Sequence, residues 1–184
     1  MLCLGCHAIG HELLCGTCRR QLVTAGPRLI ADCIVARPAF RHEGLARALI
    51  HDFKYRGVVR VAALLAPSLA EFLPAGGRLL VPVPRVVARH LRLGIDPGFE
   101  LARAVGRLTG MPIARVLRPP VWRANHAGKQ RRRRAAVAFR PTAQPPPGVI
   151  LVDDVLTTGA TLESAVRALG PGVVGAVTAT GAGV

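Results

Sequence analysis

The chain has 184 residues, 51% of them hydrophobic, which is enough to bury the core of one ordinary domain plus a small appendage. This composition excludes a largely disordered chain. The 25 Lys and Arg against 10 Asp and Glu give a formal charge of +15, which favours anionic partners such as nucleotides, nucleic acid or an acidic protein.

The apolar segments are too short or too interrupted to span a bilayer, and the uncharged tail after Arg167 is broken by Pro171 and several glycines. The N-terminus lacks the basic region followed by an apolar run that is typical of a signal peptide. We therefore expect a cytoplasmic protein without a membrane-inserted segment.

Four of the five cysteines form two CxxC pairs, Cys3 with Cys6 and Cys15 with Cys18. Two such pairs, separated by a short glycine-containing segment, can place four thiolates around one ion, as in structural zinc sites. The segment is too short to build a core of its own, so a structural Zn²⁺ would supply its folding energy.

Two alternatives to four zinc thiolates stay open. Two disulfides would need an oxidising compartment, which the expected location disfavours. His7 or His11 can replace one cysteine ligand, although four thiolates already complete the site. The fifth cysteine, Cys33, has apolar neighbours and is predicted to be a small core residue. We therefore predict a zinc ribbon over residues 1–25 and a second domain over residues 26–184.

The segments after the ribbon alternate between strand and helix patterns. Residues 32–36 and 38–40 are predicted to form a short hairpin, and a helix follows from Glu43 to Gly57. Lys54 lies in the last turn of this helix, where the helix dipole favours a cation, and it can equally reach a phosphate. A second helix bends near Pro67.

Residues 79–84 are predicted to be a buried strand. Pro82 has no N–H to donate, which indicates an edge strand or the last paired residue. Arg85 follows at the carboxyl end, where α/β sheets place their ligands, so it is a candidate for binding pyrophosphate. The alternative is a solvated basic turn.

A helix from Gly98 to about Thr109 and a strand over residues 113–117 precede an unusually basic stretch. From Leu101 to Val152 there are 11 basic residues and no carboxylate. Its centre, residues 122–134, is predicted to be a loop. This loop can close over a pyrophosphate, with Lys129 as a candidate ligand, or contact nucleic acid.

The most informative segment is residues 149–169. Four apolar residues indicate a strand covered on both faces, which is predicted to end at Asp153 and Asp154. A turn rich in threonine then leads into a helix that stops at Gly170. Together with another buried strand over residues 173–180, the alternation predicts an α/β fold with a mostly parallel sheet flanked by helices.

This segment has the features of a phosphate site. The first turn of a helix leaves backbone N–H groups without partners, and Gly159 allows close approach of an anion. Asp153 and Asp154 suit ribose hydroxyls or a hydrated Mg²⁺ on a pyrophosphate. The predicted ligand is a phosphorylated sugar with a metal, and the alternative is a capped strand–helix turn.

The sequence VILVDDVLTTGAT at residues 149–161 resembles the phosphoribosyl pyrophosphate (PRPP) loop of type I phosphoribosyltransferases. Together with the CxxC pairs, the segment LIHDFKYRG and the strand VPVP, the chain resembles the ComF (ComFC) family over nearly its whole length. The resemblance implies a type I phosphoribosyltransferase-like fold with a zinc ribbon, in which the two aspartates contact the ribose directly or through Mg²⁺. It further implies a cradle for the 5′-phosphate, formed by Thr157, Thr158, Gly159, Ala160 and Thr161.

Three functions follow from this resemblance. The first is an enzyme that transfers a phosphoribosyl group to a nitrogenous acceptor. The second, since the family is linked to natural competence and DNA uptake, is a non-catalytic accessory protein that binds single-stranded DNA and a helicase. The third is a regulator that senses PRPP. The chain departs from the family pattern over residues 93–97 and at Ala135 or Ala136, which favours PRPP binding over transfer chemistry.

Overall fold

The computed structural model of the chain describes residues 1–31, 33–85, 95–118 and 139–182. Helices and strands alternate after a short N-terminal segment that carries four cysteines. None of the helices within these ranges is long and apolar enough to cross a membrane. The elements are α1 Gly16–Arg19, β1 Arg28–Ile30, β2 Ile34–Arg41, α2 Gly44–Tyr55, α3 Arg60–Glu71, β3 Leu79–Pro82, α4 Pro97–Thr109, β4 Leu117–Arg118, β5 Arg140–Pro141, β6 Val149–Leu156, α5 Ala160–Leu169, a 3₁₀ turn Gly170–Gly172, and β7 Val173–Gly181.

The main sheet has five strands in the order β1-β2-β7-β6-β3. Only the β1–β2 pair is antiparallel, whereas β2–β7, β7–β6 and β6–β3 are parallel. The expectation of an α/β fold with a mostly parallel sheet is therefore confirmed. The carboxyl ends of four parallel strands meet at one edge, which is where folds of this class hold their ligands.

Apolar side chains cover both faces of the sheet. On one face, α5 contributes Leu162 and Leu169 to a cluster that includes Leu151 of β6. On the other face, α2, α3 and α4 pack against Ile150 and Val152 of the same strand. Helices α4 and α5 thus lie on opposite faces of the sheet, and in folds of this class ligands bind at the carboxyl end of the strand between two such helices.

Strand β6 is longer than its apolar run predicts. The strand was expected to end at the aspartates, but its pairing with β7 continues through Asp153, Val155 and Leu156. Backbone hydrogen bonds to a neighbouring strand do not depend on side-chain polarity, so the ladder continues past the charged pair. The two aspartates consequently point to opposite faces of the sheet.

The hairpin predicted over residues 32–36 and 38–40 is wrong. Residues 34–41 form one strand, and the hairpin instead joins it to β1, with Arg28 opposite Ala36. Strand β2 nevertheless continues through Pro38, which is paired in register with Thr178 of β7.

Strand β3 behaves as its prolines predict. It is an edge strand of the sheet and ends at Pro82.

The strand predicted over residues 113–117 is largely wrong, since Ile113 makes an isolated bridge to Leu80 and only Leu117–Arg118 forms a short ribbon with Arg140–Pro141. The central loop predicted over residues 122–134 lies outside the described residues.

Helix α4 begins unusually close to the sheet, and Gly98 allows this approach. A Cβ atom at this position would lie 2.7 Å from the carbonyl oxygen of Val83 and 3.2 Å from that of Val152. Backbone atoms cannot move aside as a flexible side chain can, so α4 would have to shift away from the strand ends.

We expect Gly98→Ala to lower the free energy of unfolding by about 1–3 kcal/mol, as overpacking of a core does. Urea denaturation measures this loss. Gly26→Ala is the matched control, because a Cβ atom at residue 26 meets nothing within 4 Å. Equal stability of the two variants would contradict the proposed close packing.

Candidate functional site at the carboxyl edge of the sheet

Asp154 is the centre of an ion cluster that joins three distant segments of the chain. Its Oδ1 lies 2.7 Å from Nζ of Lys54, at the end of α2, and its Oδ2 lies 3.9 Å from a guanidinium nitrogen of Arg85, which follows β3. All three side chains are largely buried, with 11%, 19% and 13% of their surface exposed for Asp154, Lys54 and Arg85. The sequence predicted each residue as a ligand-binding candidate, and the structure brings them together.

This cluster gives Lys54 a partner that neither sequence interpretation included. Lys54 was predicted to stabilise its own helix end or to reach a phosphate, but its ammonium neutralises Asp154. Arg85 also donates a hydrogen bond to the backbone carbonyl of Lys54 at 3.5 Å. The two cations are thereby held side by side at the carboxyl edge of the sheet.

Asp153 has different surroundings from its neighbour. Its side chain is partly buried, and Oδ1 accepts a hydrogen bond from the backbone N–H of Asp154 at 2.8 Å. Within the described ranges, no cation lies within 4.0 Å of its carboxylate. Burial, followed by the charge of Asp154, raises the pKa of Asp153 to about 8. The protonated form of this carboxyl group is therefore favoured at neutral pH, and a cation bound beside it would lower the pKa by stabilising the charged form.

The raised pKa of Asp153 predicts how stability depends on pH. The folded chain holds this proton more tightly than the unfolded chain, so the stabilisation is present below pH 4 and is lost as pH rises to about 8. In buffer without divalent metal, we expect Asp153→Asn to raise Tm at pH 8 by about 2 °C or more, with a smaller gain at pH 5.

Thermal unfolding at the two pH values tests this expectation. Asparagine preserves the acceptor for the Asp154 N–H, so the change removes only the charge. Asp52→Asn is the control, since Asp52 pairs with the exposed Arg56 at 3.2 Å. An Asp153→Asn gain that is the same at both pH values would contradict the burial argument.

The turn after β6 is open on its outer side. Thr157 and Thr158 are exposed, whereas Gly159 is buried with φ of 87°, a left-handed conformation that favours glycine. A Cβ atom at Gly159 would lie 3.1 Å from the side chain of Ile30, so the turn is also sterically constrained. Ala160 and Thr161 then begin helix α5, whose N-terminal N–H groups face the same turn.

Two polar residues next to Asp154 were missed in the sequence. Nδ1 of His42 lies 2.8 Å from Oγ1 of Thr180, and that hydroxyl donates to the carbonyl of Asp154 at 3.4 Å. Burial, followed by the charges of Lys54 and Arg47, lowers the pKa of His42. Both residues follow or end a strand of the sheet, which is the signal that could have identified them.

A third carboxylate, Asp96, lies on the β3 side of the site. It is buried at the N-terminus of α4, where it accepts from the backbone N–H of Phe99 at 3.5 Å and lies 4.0 Å from Arg115. Its charge contributes to the raised pKa of Asp153. The sequence predicted the helix but did not identify Asp96 as part of the site.

The four N-terminal cysteines form a second cluster. The Sγ atoms of Cys3, Cys6, Cys15 and Cys18 all lie within 4.8 Å of one another, with 3.7 Å between Cys6 and Cys15. A tetrahedral site with Zn–S bonds of about 2.3 Å has S···S edges of about 3.8 Å. The four thiols are therefore close enough to hold one metal ion.

Backbone groups prepare this cluster for thiolates. The N–H groups of Cys15 and Gly5 donate to Sγ of Cys3 at 3.3 and 3.4 Å. Hydrogen bonds from Cys15 and then Cys6 lower the pKa of Cys3 to about 6, whereas burial and the neighbouring thiols raise that of Cys18 to about 12. Hydrogen bonds to a ligating sulfur are the usual support of a metal site.

The cysteine segment packs against helices α2 and α3, and Leu14 is its most buried side chain. Leu14 is completely buried between Cys3 and Cys18, and the cluster continues into Leu45 of α2 and Leu64 of α3. The geometry of the thiols is thus coupled to the packing of the two helices beside the candidate site.

The sequence also predicts roles for Lys129, His7, His11 and Cys33. Lys129 lies outside the described residues. His7 and His11 are exposed and do not belong to the cysteine group, and all five cysteines are free thiols. Cys33 is exposed at the β1–β2 turn, so its predicted core position is wrong. It lies in the turn because β1 pairs with the strand that begins at Ile34.

A comparison with protein-family models and a comparison with curated proteins each find no match for this chain.

Proposed function

We propose that the chain binds PRPP at the carboxyl edge of the sheet and transfers its phosphoribosyl group to a nitrogenous acceptor, as a zinc-containing relative of ComF proteins. One observation carries this proposal. An acidic doublet at the end of a central parallel strand is followed by an exposed Thr–Gly turn into a helix, and two buried cations flank the doublet.

Each part of the site has a role in this proposal. The 5′-phosphate binds in the turn of Thr157 to Thr161, where backbone N–H groups and hydroxyls donate. Asp153, which has no cation within 4.0 Å among the described residues, accepts hydrogen bonds from the ribose hydroxyls. Lys54 and Arg85 lie where they can stabilise the pyrophosphate, and Asp154 holds both of them in place.

The transfer needs positioning and charge stabilisation more than proton transfer. The nitrogen lone pair of the acceptor forms a bond to C1 of the ribose, and the bond from C1 to the pyrophosphate oxygen breaks. The electron pair leaves with pyrophosphate, and the proton of the acceptor nitrogen passes to solvent. The cationic side chains stabilise the leaving group electrostatically. Mg²⁺, held by the substrate and the carboxylate of Asp153, would neutralise further pyrophosphate charge.

Calorimetric titration of PRPP in the presence of Mg²⁺ tests the site directly. At pH 9, above the raised pKa of Asp153, we expect saturable, Mg²⁺-dependent binding to the wild type. Affinity should be weaker by about tenfold or more in Asp153→Asn, since a hydrogen bond to a charged group contributes about 1.5–3 kcal/mol. Asp52→Asn is the matched control and should bind like the wild type. An absence of PRPP binding by the folded wild type would exclude both the enzyme and the PRPP sensor.

Two further measurements, of pyrophosphate release and of DNA binding, separate the other two functions. Mg²⁺-dependent binding without pyrophosphate release for any base supplied would indicate a PRPP-sensing regulator. The basic composition supports the accessory role, in which the chain binds single-stranded DNA and a helicase. That role predicts DNA affinity that falls steeply with salt and a shallower salt slope after alanine replaces Arg131, Arg132, Arg133 and Arg134.

We further propose that the cysteine cluster holds a structural Zn²⁺. Four thiols that lie within 4.8 Å of one another suit this metal better than Mg²⁺ or Ca²⁺. A saturated site of this kind supports folding and has no open position for a substrate.

A further inference from the structure

A cavity lies next to the turn of residues 157–161 and reaches the preceding residue, Leu156. It has a volume of about 280 Å³ and lies beside the ends of β2, β6 and β7, under the segment that leads into β1. We call it the arginine pocket, because Arg28 and Arg41 line it together with Pro27, Pro38, Leu156 and Gly181. No sequence motif predicts it, since its residues come from four separate parts of the chain.

The lining of the arginine pocket is chemically one-sided. Its residues are apolar or small apart from the two arginines, and none is acidic. Within the described part of the chain, no carboxylate lies within 4.0 Å of either guanidinium. Proline and leucine side chains form walls that suit a flat ring, while a guanidinium recognises the planar oxygens of a carboxylate through two parallel hydrogen bonds.

The arginine pocket is directly connected to the turn that we assign to the sugar phosphate. Leu156 lines the pocket and is followed at once by Thr157. Arg28 also lines the pocket, and its guanidinium donates a hydrogen bond to the carbonyl oxygen of Thr157. A molecule in the pocket would therefore lie beside a phosphosugar bound at the turn.

We infer that the arginine pocket binds the acceptor of the transfer reaction, and that this acceptor is a planar nitrogenous base carrying an oxyanion, for which a carboxylate fits best. This inference rests on the proposed function, because it assigns the second substrate of the same reaction. Arg41 recognises the anionic group. Arg28 links its binding to the position of the turn.

Matched pairs of probes test this inference by calorimetry. They are pyridine-3-carboxylate with its neutral amide, and uracil-6-carboxylate with uracil. We expect at least one carboxylate to bind the wild type, its neutral partner to bind at least tenfold more weakly, and Arg41→Gln to weaken carboxylate binding by about tenfold or more. Arg37→Gln is the control, because Arg37 is an exposed residue of the same strand that lines a different cavity.

The outcomes separate the acceptor from the PRPP site. If neither carboxylate binds, or Arg41→Gln and Arg37→Gln behave alike, the inference is overturned while PRPP binding stands on its own titration. If inorganic phosphate binds with Arg41 dependence and the carboxylated bases do not, the pocket is a phosphate site and the inference also fails. Carboxylate binding by a chain that does not bind PRPP would overturn the acceptor role and the proposed transfer together.

Discussion

Replacing Asp154 with Ala is expected to lower the free energy of unfolding by about 2–4 kcal/mol, near the range for breaking a buried ion pair. The cause is the loss of the only counter-charge within 4 Å of Lys54 and Arg85 among the described residues. Both cations are more than four-fifths buried and cannot regain full hydration without moving. Urea denaturation at neutral pH measures the loss.

A double-mutant cycle distinguishes this ion pair from simple loss of packing. Lys54→Met keeps an unbranched apolar side chain but removes the charge, so Asp154→Ala should cost less in that background than in the wild type. Asp52→Ala is the control, because its partner Arg56 is 70% exposed and such pairs contribute about 1 kcal/mol or less. Strict additivity of the Lys54 and Asp154 changes would contradict the cluster.

The central elements could be predicted because local sequence dictates them. The apolar run at residues 149–152, the glycine and threonines that follow, and the glycine after Leu169 are all short-range signals. They indicate where β6 begins and where α5 lies, although β6 continues past the aspartates to Leu156. Pro82 likewise marks the end of an edge strand for a reason contained in one residue. The error at residues 32–40 arose because Pro38 resembles a break, whereas β2 continues through it in register with β7.

The candidate site was only partly predictable for the opposite reason. Asp153, Asp154 and the turn are consecutive, so one motif contains them. The partners of Asp154 come from the end of α2 and from the residues after β3, and no local pattern indicates that Lys54 reaches Asp154 rather than solvent or a ligand. The strand order identifies three further residues at this edge of the sheet, since it brings together the strand ends that carry them. They are His42, Thr180 and Arg28.

Asp153 and Asp154 have different surroundings in this site. The two carboxylates are adjacent in sequence, but strand alternation sends them to opposite faces. Asp154 is held by two cations, while Asp153 has no cation within 4.0 Å among the described residues and has a pKa raised by burial. In the proposed function, Asp153 therefore contacts the sugar and its metal, and Asp154 positions the cations that receive the pyrophosphate.

The second large effect is expected at the cysteine cluster. Purified wild type should contain about one Zn²⁺ per chain, and Cys18→Ser should retain less than half of it, because one ligand of a four-thiolate site is lost. The cysteine segment should then unfold, since metal binding supplies most of its folding free energy. Metal analysis and limited proteolysis of the full chain measure the two consequences.

The loss of stability should extend from the cysteine segment to α2 and α3, because Leu14 would leave its buried position against Leu45 and Leu64. We therefore expect Tm to fall on chelation as well as in Cys18→Ser. Gly5→Ala should produce a milder loss of zinc, because a Cβ atom there would lie 2.8 Å from Sγ of Cys18. Gly10→Ala is its control, since a Cβ atom at residue 10 meets nothing within 4 Å.

Cys33→Ser is the matched control for Cys18→Ser, since Cys33 is an exposed thiol outside the cluster and should leave zinc content and Tm unchanged. Equal zinc content in the two serine variants would exclude Cys18 as a ligand and with it the four-thiolate site. Zinc loss without any change in Tm would instead contradict the packing of Leu14, because the segment could then unfold without disturbing α2 and α3.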